Sequence, residues 1–398
     1  MEDTRNHLRF INIAHFIDHY VLLVFPTVVI GLQAALSRSY AELIALSTAC
    51  FVAFGLFSLP WGWLADHWSR RKIMAIFFFG CAISMAAAAA APNVYWLGGA
   101  LLLLGIFAAI YHPVGIPMLV TNARDRGRDF ATNGVWGNFG VALAPGVTAA
   151  LMASVGWRAA FVIPAVICAV IGVAYLYLTK EETEKAGSRA KVAEVPLAGA
   201  MMISVFAFFA LLAFSGGIIF NILTIAIPKI VDEGMAKDIP LVLLGSVATG
   251  VLLFGGIAQL TVGRLVSRFA PHVLLAVIGV LQVIGVVWAY YATGPMLLAA
   301  LALSIAAIYA QVTVGDVVIA RYTADAWRGR VFAVRFFLAF ISSGLAVALI
   351  AALHGQGGFG LVLIMTAIFA VLFMIATIAI SLLANRAESH LASTQPAE

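Results

Sequence analysis

The stretch His15-Phe16-Ile17-Asp18-His19 places two imidazoles and a carboxylate inside a long apolar run. On a helix, His15 stands one turn from both Asp18 (i, i+3) and His19 (i, i+4), so the three share a face that Ile11 and Leu22 extend. Ionisable groups are costly in such surroundings, and where they persist in membrane segments they mark paths for protons, ions or substrates. Imidazole titrates near physiological pH, so a His–Asp pair is suited to carrying a proton. The nitrogen and oxygen atoms of His15, Asp18, His19 and His112 are also a ligand set for a divalent transition metal or a metal chelate. The competing structural reading has Asp18 hydrogen-bonded to a neighbouring helix, and His112 bonded beside the kink that Pro113 and Pro117 impose.

Two more charges fall well inside apolar runs, Asp316 and Arg335. Paired, they would offset part of each other's burial cost and act as a strut. Alone in a cavity, Arg335 would be a contact for an organic anion or part of a gate.

The elements that must position these groups are membrane helices. Of 398 residues, 63% are hydrophobic and 10% charged, far below the charged quarter of a water-soluble globule. Apolar runs long enough to span a bilayer can be marked off twelve times, over 10–32, 40–65, 73–91, 94–120, 130–155, 159–179, 198–231, 239–266, 273–292, 296–319, 331–353 and 359–384. The first follows a short polar start and lacks a small-residue cleavage site, so it is read as a retained helix. Eighteen of the 23 lysines and arginines fall on one side of these segments, four on the other, and Arg335 inside one. The positive-inside rule then makes both termini cytoplasmic. The net charge of +5 reflects that asymmetry and implies no nucleic-acid partner. Cys50, Cys81 and Cys168 lie within apolar segments at unpaired spacing, which argues against disulfides and a thiolate metal site. A phosphate-binding glycine loop ending in Lys-Ser/Thr and a serine-nucleophile elbow are both missing, which argues against an ATP-driven pump and a hydrolase.

The longest internal polar stretch, 180–196, divides six segments from six. The expected organisation is a six-helix half over 1–179, a cytoplasmic linker over 180–197, a second six-helix half over 198–385 and a cytoplasmic tail over 386–398. The halves repeat: Gly62-Trp63-Leu64-Ala65-Asp66 aligns with Gly263-Arg264-Leu265-Val266-Ser267, and Arg126-Gly127-Arg128 with Arg328-Gly329-Arg330. Duplication of this kind is expected of transporters whose halves rock about a central site.

Gly62-Trp63-Leu64-Ala65-Asp66-His67-Trp68-Ser69-Arg70-Arg71-Lys72 resembles the loop signature of the major facilitator superfamily, with Ser69 where that family usually has glycine. The resemblance implies an all-α membrane protein of twelve transmembrane helices in two pseudo-symmetric halves. It makes Gly62, Asp66, Arg70 and Arg71 a gating loop, in which Asp66 lies against the positive N-terminal end of helix 11 near 326–330. A narrower resemblance joins Ala14-His15-Phe16-Ile17-Asp18, Tyr111-His112-Pro113 and 133–146 to the fosmidomycin-resistance type of exporter, a group associated with proton-driven drug efflux. The stretch 140–146 is also similar to the glycine-proline signature of the superfamily's antiporters, with Ala144 before Pro145.

Depth supports the convergence this fold implies. At about 1.5 Å per residue, Asp18 lies roughly 13 Å beyond Arg9, and His112 roughly 18 Å before Arg124 on a helix running the other way. In the implied fold, helices 1, 4, 7 and 10 line a cavity that Tyr20, Tyr111, Trp136, Asn138, Asn221 and Gln311 would help to wall. The expected function is a secondary active transporter, not an enzyme, exporting a small organic compound against protons through His15, Asp18, His19, His112, Asp316 and Arg335. The alternatives are a carrier of a divalent metal or chelate, a carrier of an organic anion, and a membrane sensor that transports nothing. No cofactor is expected; the partners are a small-molecule or ion substrate, protons and the lipid bilayer, and the chain is read as a monomer in the plasma (inner) membrane.

Overall fold

With no water to satisfy backbone amides inside a bilayer, an apolar chain bonds its N–H and C=O groups along itself, and helices result. The computed structural model describes residues 2–181, 199–235, 239–323 and 325–394, and it contains no strand among them. Most of the linker expected over 180–197, together with Lys237, lies outside the described residues. The helices are α1 (Glu2–Leu36), α2 (Tyr40–Ala45), α3 (Thr48–His67), α4 (Arg70–Ala89), α5 (Val94–Ala108), α6 (Tyr111–Asn122), α7 (Arg126–Val155), α8 (Ala159–Leu178), α9 (Gly199–Gly234), α10 (Leu241–Leu265), α11 (Pro271–Tyr291), α12 (Gly294–Arg321) and α13 (Asp325–Thr394).

Local chemistry sets the ends. Ser39 and Glu42 form a reciprocal capping box at the start of α2. Asn93 and Asp125 cap α5 and α7 through the amides of Trp96 and Arg128. Ser69 accepts from the Lys72 amide and caps α4. The interruption between α5 and α6 falls at Ala109 and Ile110, because Pro113 has no N–H for the Ala109 carbonyl and its ring crowds that carbonyl. His112 therefore stands in the first turn after this interruption.

Among the described residues, eleven segments are long and apolar enough to cross a membrane, against twelve expected. The difference lies at the end of the chain, where one segment, Val334–Ser389, runs for 56 residues. It is interrupted at Gly357 and Gly358, the latter at φ +61° and ψ −159°, a conformation that residues with a Cβ rarely adopt. α1 also begins well before the expected position 10, since nothing in the polar start breaks a helix.

The chain divides into two compact units. The first gathers the described residues of Met1–Ser188 with those of Ile225–Leu253 and Ser343–Gly358. Its core is α1, which buries Ile11, Ala14, Val24, Phe25, Val28, Val29 and Leu32 and packs along α7 and against α6. At Gly140 of α7, a Cβ would collide with the Phe16 backbone, so glycine lets the two helices touch. Farther along, the Gly146 amide donates to Thr249 Oγ1 of α10 at 3.0 Å, and Ser343 Oγ donates to the Phe51 carbonyl. The glycine-rich stretch around Pro145 is thus a packing surface on both sides.

The second unit gathers the described residues of Arg189–Thr224, Phe254–Ser342 and Phe359–Glu398. α11 packs on α12 there, and buried polar groups join the helices: Gln282 Nε2 donates to Gln311 Oε1 at 2.6 Å, and Gln311 Nε2 to the Gly216 carbonyl at 3.2 Å.

Candidate functional site

The one-turn spacing on α1 and the fresh start of α6 bring four ionisable side chains together in the first unit. The His15 and His19 Nε2 atoms are 3.2 Å apart. The His112 ring stands 5.5 Å from that of His15 and 5.6 Å from that of His19, in edge-to-face contact with both. Asp18 is 0% exposed, and its Oδ2 is 3.4 Å from His112 Nε2, within ion-pair range but not aligned as a hydrogen bond.

α7 supplies the support. His15 Nδ1 lies 2.8 Å from the Asn133 carbonyl oxygen. A carbonyl only accepts, so this contact assigns the ring proton to Nδ1 and leaves the Nε2 lone pair facing His19. The Asn133 side chain accepts from the Tyr111 hydroxyl at 3.0 Å and donates to Asn12 Oδ1 at 2.9 Å. The Tyr111 ring stacks on His15 at 4.6 Å. A Cβ at Gly137 would sit 2.5 Å from His15 Nε2, so only glycine leaves room for the ring.

This network gives a stability prediction. Asn133→Ala strips buried Tyr111 of its acceptor and is expected to cost about 1–3 kcal/mol, the penalty for an unsatisfied buried polar group. Thermal unfolding in detergent measures it. Adding Tyr111→Phe, which removes the stranded hydroxyl, should recover part of the loss.

Other residues of the sequence analysis fall around this centre or apart from it. Tyr20 stacks on Phe16 at 5.7 Å, and Trp136 meets Phe16 edge-on at 6.5 Å. Asn138 is half-buried on α7. In the second unit, Asn221 donates to Gly217 of its own helix. Asp316 of α12 and Arg335 of α13 contact each other as an ion pair. In the gating loop, a Cβ on Gly62 would meet Pro113 at 3.3 Å, and Asp66 lies 3.7 Å from Arg70. Arg71 donates to the carbonyls of Leu176 and Thr179, closing the C-terminal end of α8. The partner expected for Asp66, at 326–330, has side chains outside the described residues, as have Arg126 and the second Arg-Gly-Arg copy.

One cluster was missed. Lys229 of α9, only 8% exposed, pairs with Asp232 and Glu233 one turn on, and Glu233 lies 2.9 Å from His354, whose ring meets buried Tyr40 at 4.8 Å. The one-turn spacing of Lys229, Asp232 and Glu233 is the signal the sequence carries for it.

The comparisons with known proteins agree with this architecture. A family model described as Major Facilitator Superfamily matches residues 10–244. A protein of Escherichia coli (strain K12) named "Probable L-galactonate transporter" is 28% identical over 157 residues, which is 38% of this chain and 35% of that protein, so the match spans about a third of that relative's length. The crystal structure of a bacterial homologue of the human lysosomal transporter Spinster, inward-facing and unoccupied, superposes with a TM-score of 0.74 at 14% identity over 99% of both chains. That of a D-xylose–proton symporter does so with a TM-score of 0.74 at 15% identity, over 95% of this chain and 97% of the other. At these identities the structural likeness is one of fold.

Proposed function

The chain belongs to the major facilitator superfamily, a family of membrane transporters rather than enzymes, and from that premise we propose that it is a secondary active transporter coupling protons to the export of a small organic compound. The observation that carries this reading is the fully buried Asp18 of α1 beside His112 of α6. A carboxylate so placed has two charge states of very different solvation cost. Protonation lowers the cost of closing apolar walls around it, deprotonation raises it, and an alternating-access cycle is thereby biased by pH.

In the same reading, the break at Gly357 and Gly358 is a turn between two crossings, which gives twelve in two six-helix halves. The arginine and lysine asymmetry supports cytoplasmic termini in a plasma (inner) membrane, and the monomer is the working unit. The likeness of the His15, His112 and 133–146 regions to the fosmidomycin-resistance type of exporter supports the outward direction and antiport. The E. coli relative supports a second reading, a sugar-acid substrate, whose movement we would take to be uptake with protons.

Purified protein in liposomes tests both. With a pH gradient of about two units, one proton per substrate supplies about 2.7 kcal/mol. Export predicts drug-like compounds accumulating against the proton flow, and uptake predicts L-galactonate moving with it. Absence of gradient-driven flux for either class overturns the proton-coupled reading.

A further inference from the structure

The three imidazoles have a geometry that proton carriage does not require. One ring nitrogen from each of His15, His19 and His112 can be chosen so that all lie within 4.8 Å of one another. A tetrahedral zinc ion with Zn–N bonds of about 2.0–2.1 Å holds its ligand nitrogens about 3.4 Å apart. The 3.2 Å between the Nε2 atoms of His15 and His19 is already that edge. His112 needs only a side-chain adjustment to complete the face.

The surroundings match what a bound ion needs. Metal-ligating histidines commonly donate their other ring N–H to a carbonyl or carboxylate, which fixes tautomer and orientation. His15 has that contact through Nδ1 to the Asn133 carbonyl, with Tyr111 and Asn12 holding Asn133 in place. Asp18 stands against His112 with no aligned hydrogen bond to either carboxylate oxygen, and it supplies negative charge next to the cluster. Gly137 keeps the space beside His15 Nε2 open. The His15 Nε2 lone pair faces His19 Nε2 at 3.2 Å, a gap that either an Nε2–H of His19 or a shared cation can fill.

We infer that His15, His19 and His112 form a binding site for one divalent transition-metal ion of the zinc class, with Asp18 balancing its charge. Imidazole ligands without thiolates select zinc, nickel, cobalt and copper over magnesium and calcium, which take oxygen. The inference goes beyond the transport reading and does not depend on it: a chain that moved nothing would still bind the ion.

The test uses the full chain, purified in detergent without a polyhistidine tag and titrated with zinc chloride in a calorimeter. One zinc per chain is expected, with no saturable heat from magnesium or calcium. His19→Ala and His112→Ala should each weaken binding at least tenfold, and Asp18→Asn, removing an outer partner, by about tenfold. His272→Ala, which removes a buried histidine of the second unit, should leave it unchanged. Cobalt absorption of the wild-type chain reads coordination without any variant, so it stands even where a substitution impairs folding. A tetrahedral spectrum is expected. An octahedral one, the lack of saturable zinc binding, or wild-type affinity retained in both histidine variants overturns the inference.

Discussion

Asp18→Asn is expected to abolish uphill, pH-driven flux while leaving downhill exchange of substrate within about threefold of wild type, a difference worth less than 1 kcal/mol. Asparagine matches the carboxyl group in shape and carries no charge, so the variant is held in a permanent likeness of the protonated state. Asp18 is 0% exposed and lies 3.4 Å from His112, so its charge change occurs away from bulk water, where it has most effect on the cost of closing the site. With one proton per cycle, a gradient of about two pH units sustains a concentration ratio of roughly 100, and the variant should reach a ratio of one. The dependence of exchange on pH should flatten as well. Folding should not suffer, because the substitution removes a charge from apolar surroundings; an unchanged or raised melting temperature separates lost coupling from lost structure. Accumulation by Asp18→Asn at the wild-type ratio would sink the coupling role and leave Asp18 as a helix-packing group.

The α1 face was legible because two simple rules meet there: helical spacing puts His15, Asp18 and His19 together, and the depth of His112 on an opposing helix brings it level with them. The Pro113 break was legible for a similar reason, since a missing N–H acts on one known carbonyl. What the sequence withheld was the support. Asn133 reads as one more polar residue in a small-residue helix, and only the packed structure shows its backbone bonded to His15 and its side chain to Tyr111 and Asn12. Gly137 and Gly140 likewise read as general sites of close approach, whereas their specific partners depend on how α7 lies along α1. The Lys229, Glu233, His354 and Tyr40 cluster joins positions more than a hundred residues apart, and periodicity within a segment has no access to that. The last segment differs from expectation for a related reason: only the backbone angles at Gly357 and Gly358 interrupt it, and a glycine pair inside an apolar run does not announce in sequence how the helix is broken.

Asp316 and Arg335 allow the strut and the anion site to be separated by stability alone. The pair is in direct contact, with side-chain exposures of 41% for Asp316 and 13% for Arg335. Removing one partner of a buried ion pair costs about 3–5 kcal/mol, because the remaining charge is stranded. The less exposed charge is the worse one to strand, and a guanidinium cannot escape by losing its proton as a carboxylate escapes by gaining one. Asp316→Asn is therefore expected to cost about 3 kcal/mol, offset in part by the Phe336 ring 5.6 Å from the guanidinium. Arg335→Leu should cost less, about 1–2 kcal/mol, since Asp316 is the more exposed partner. The double variant, which strands nothing, should lie within about 1 kcal/mol of wild type, giving a coupling energy of 2 kcal/mol or more by double-mutant cycle. Equilibrium unfolding in detergent measures all three. A strut also predicts that the double variant still transports, because the pair's work is structural and uncharged packing replaces it. Additive losses, together with transport abolished by Arg335→Leu at unchanged stability, would instead make the guanidinium a substrate contact that Asp316 merely holds in readiness.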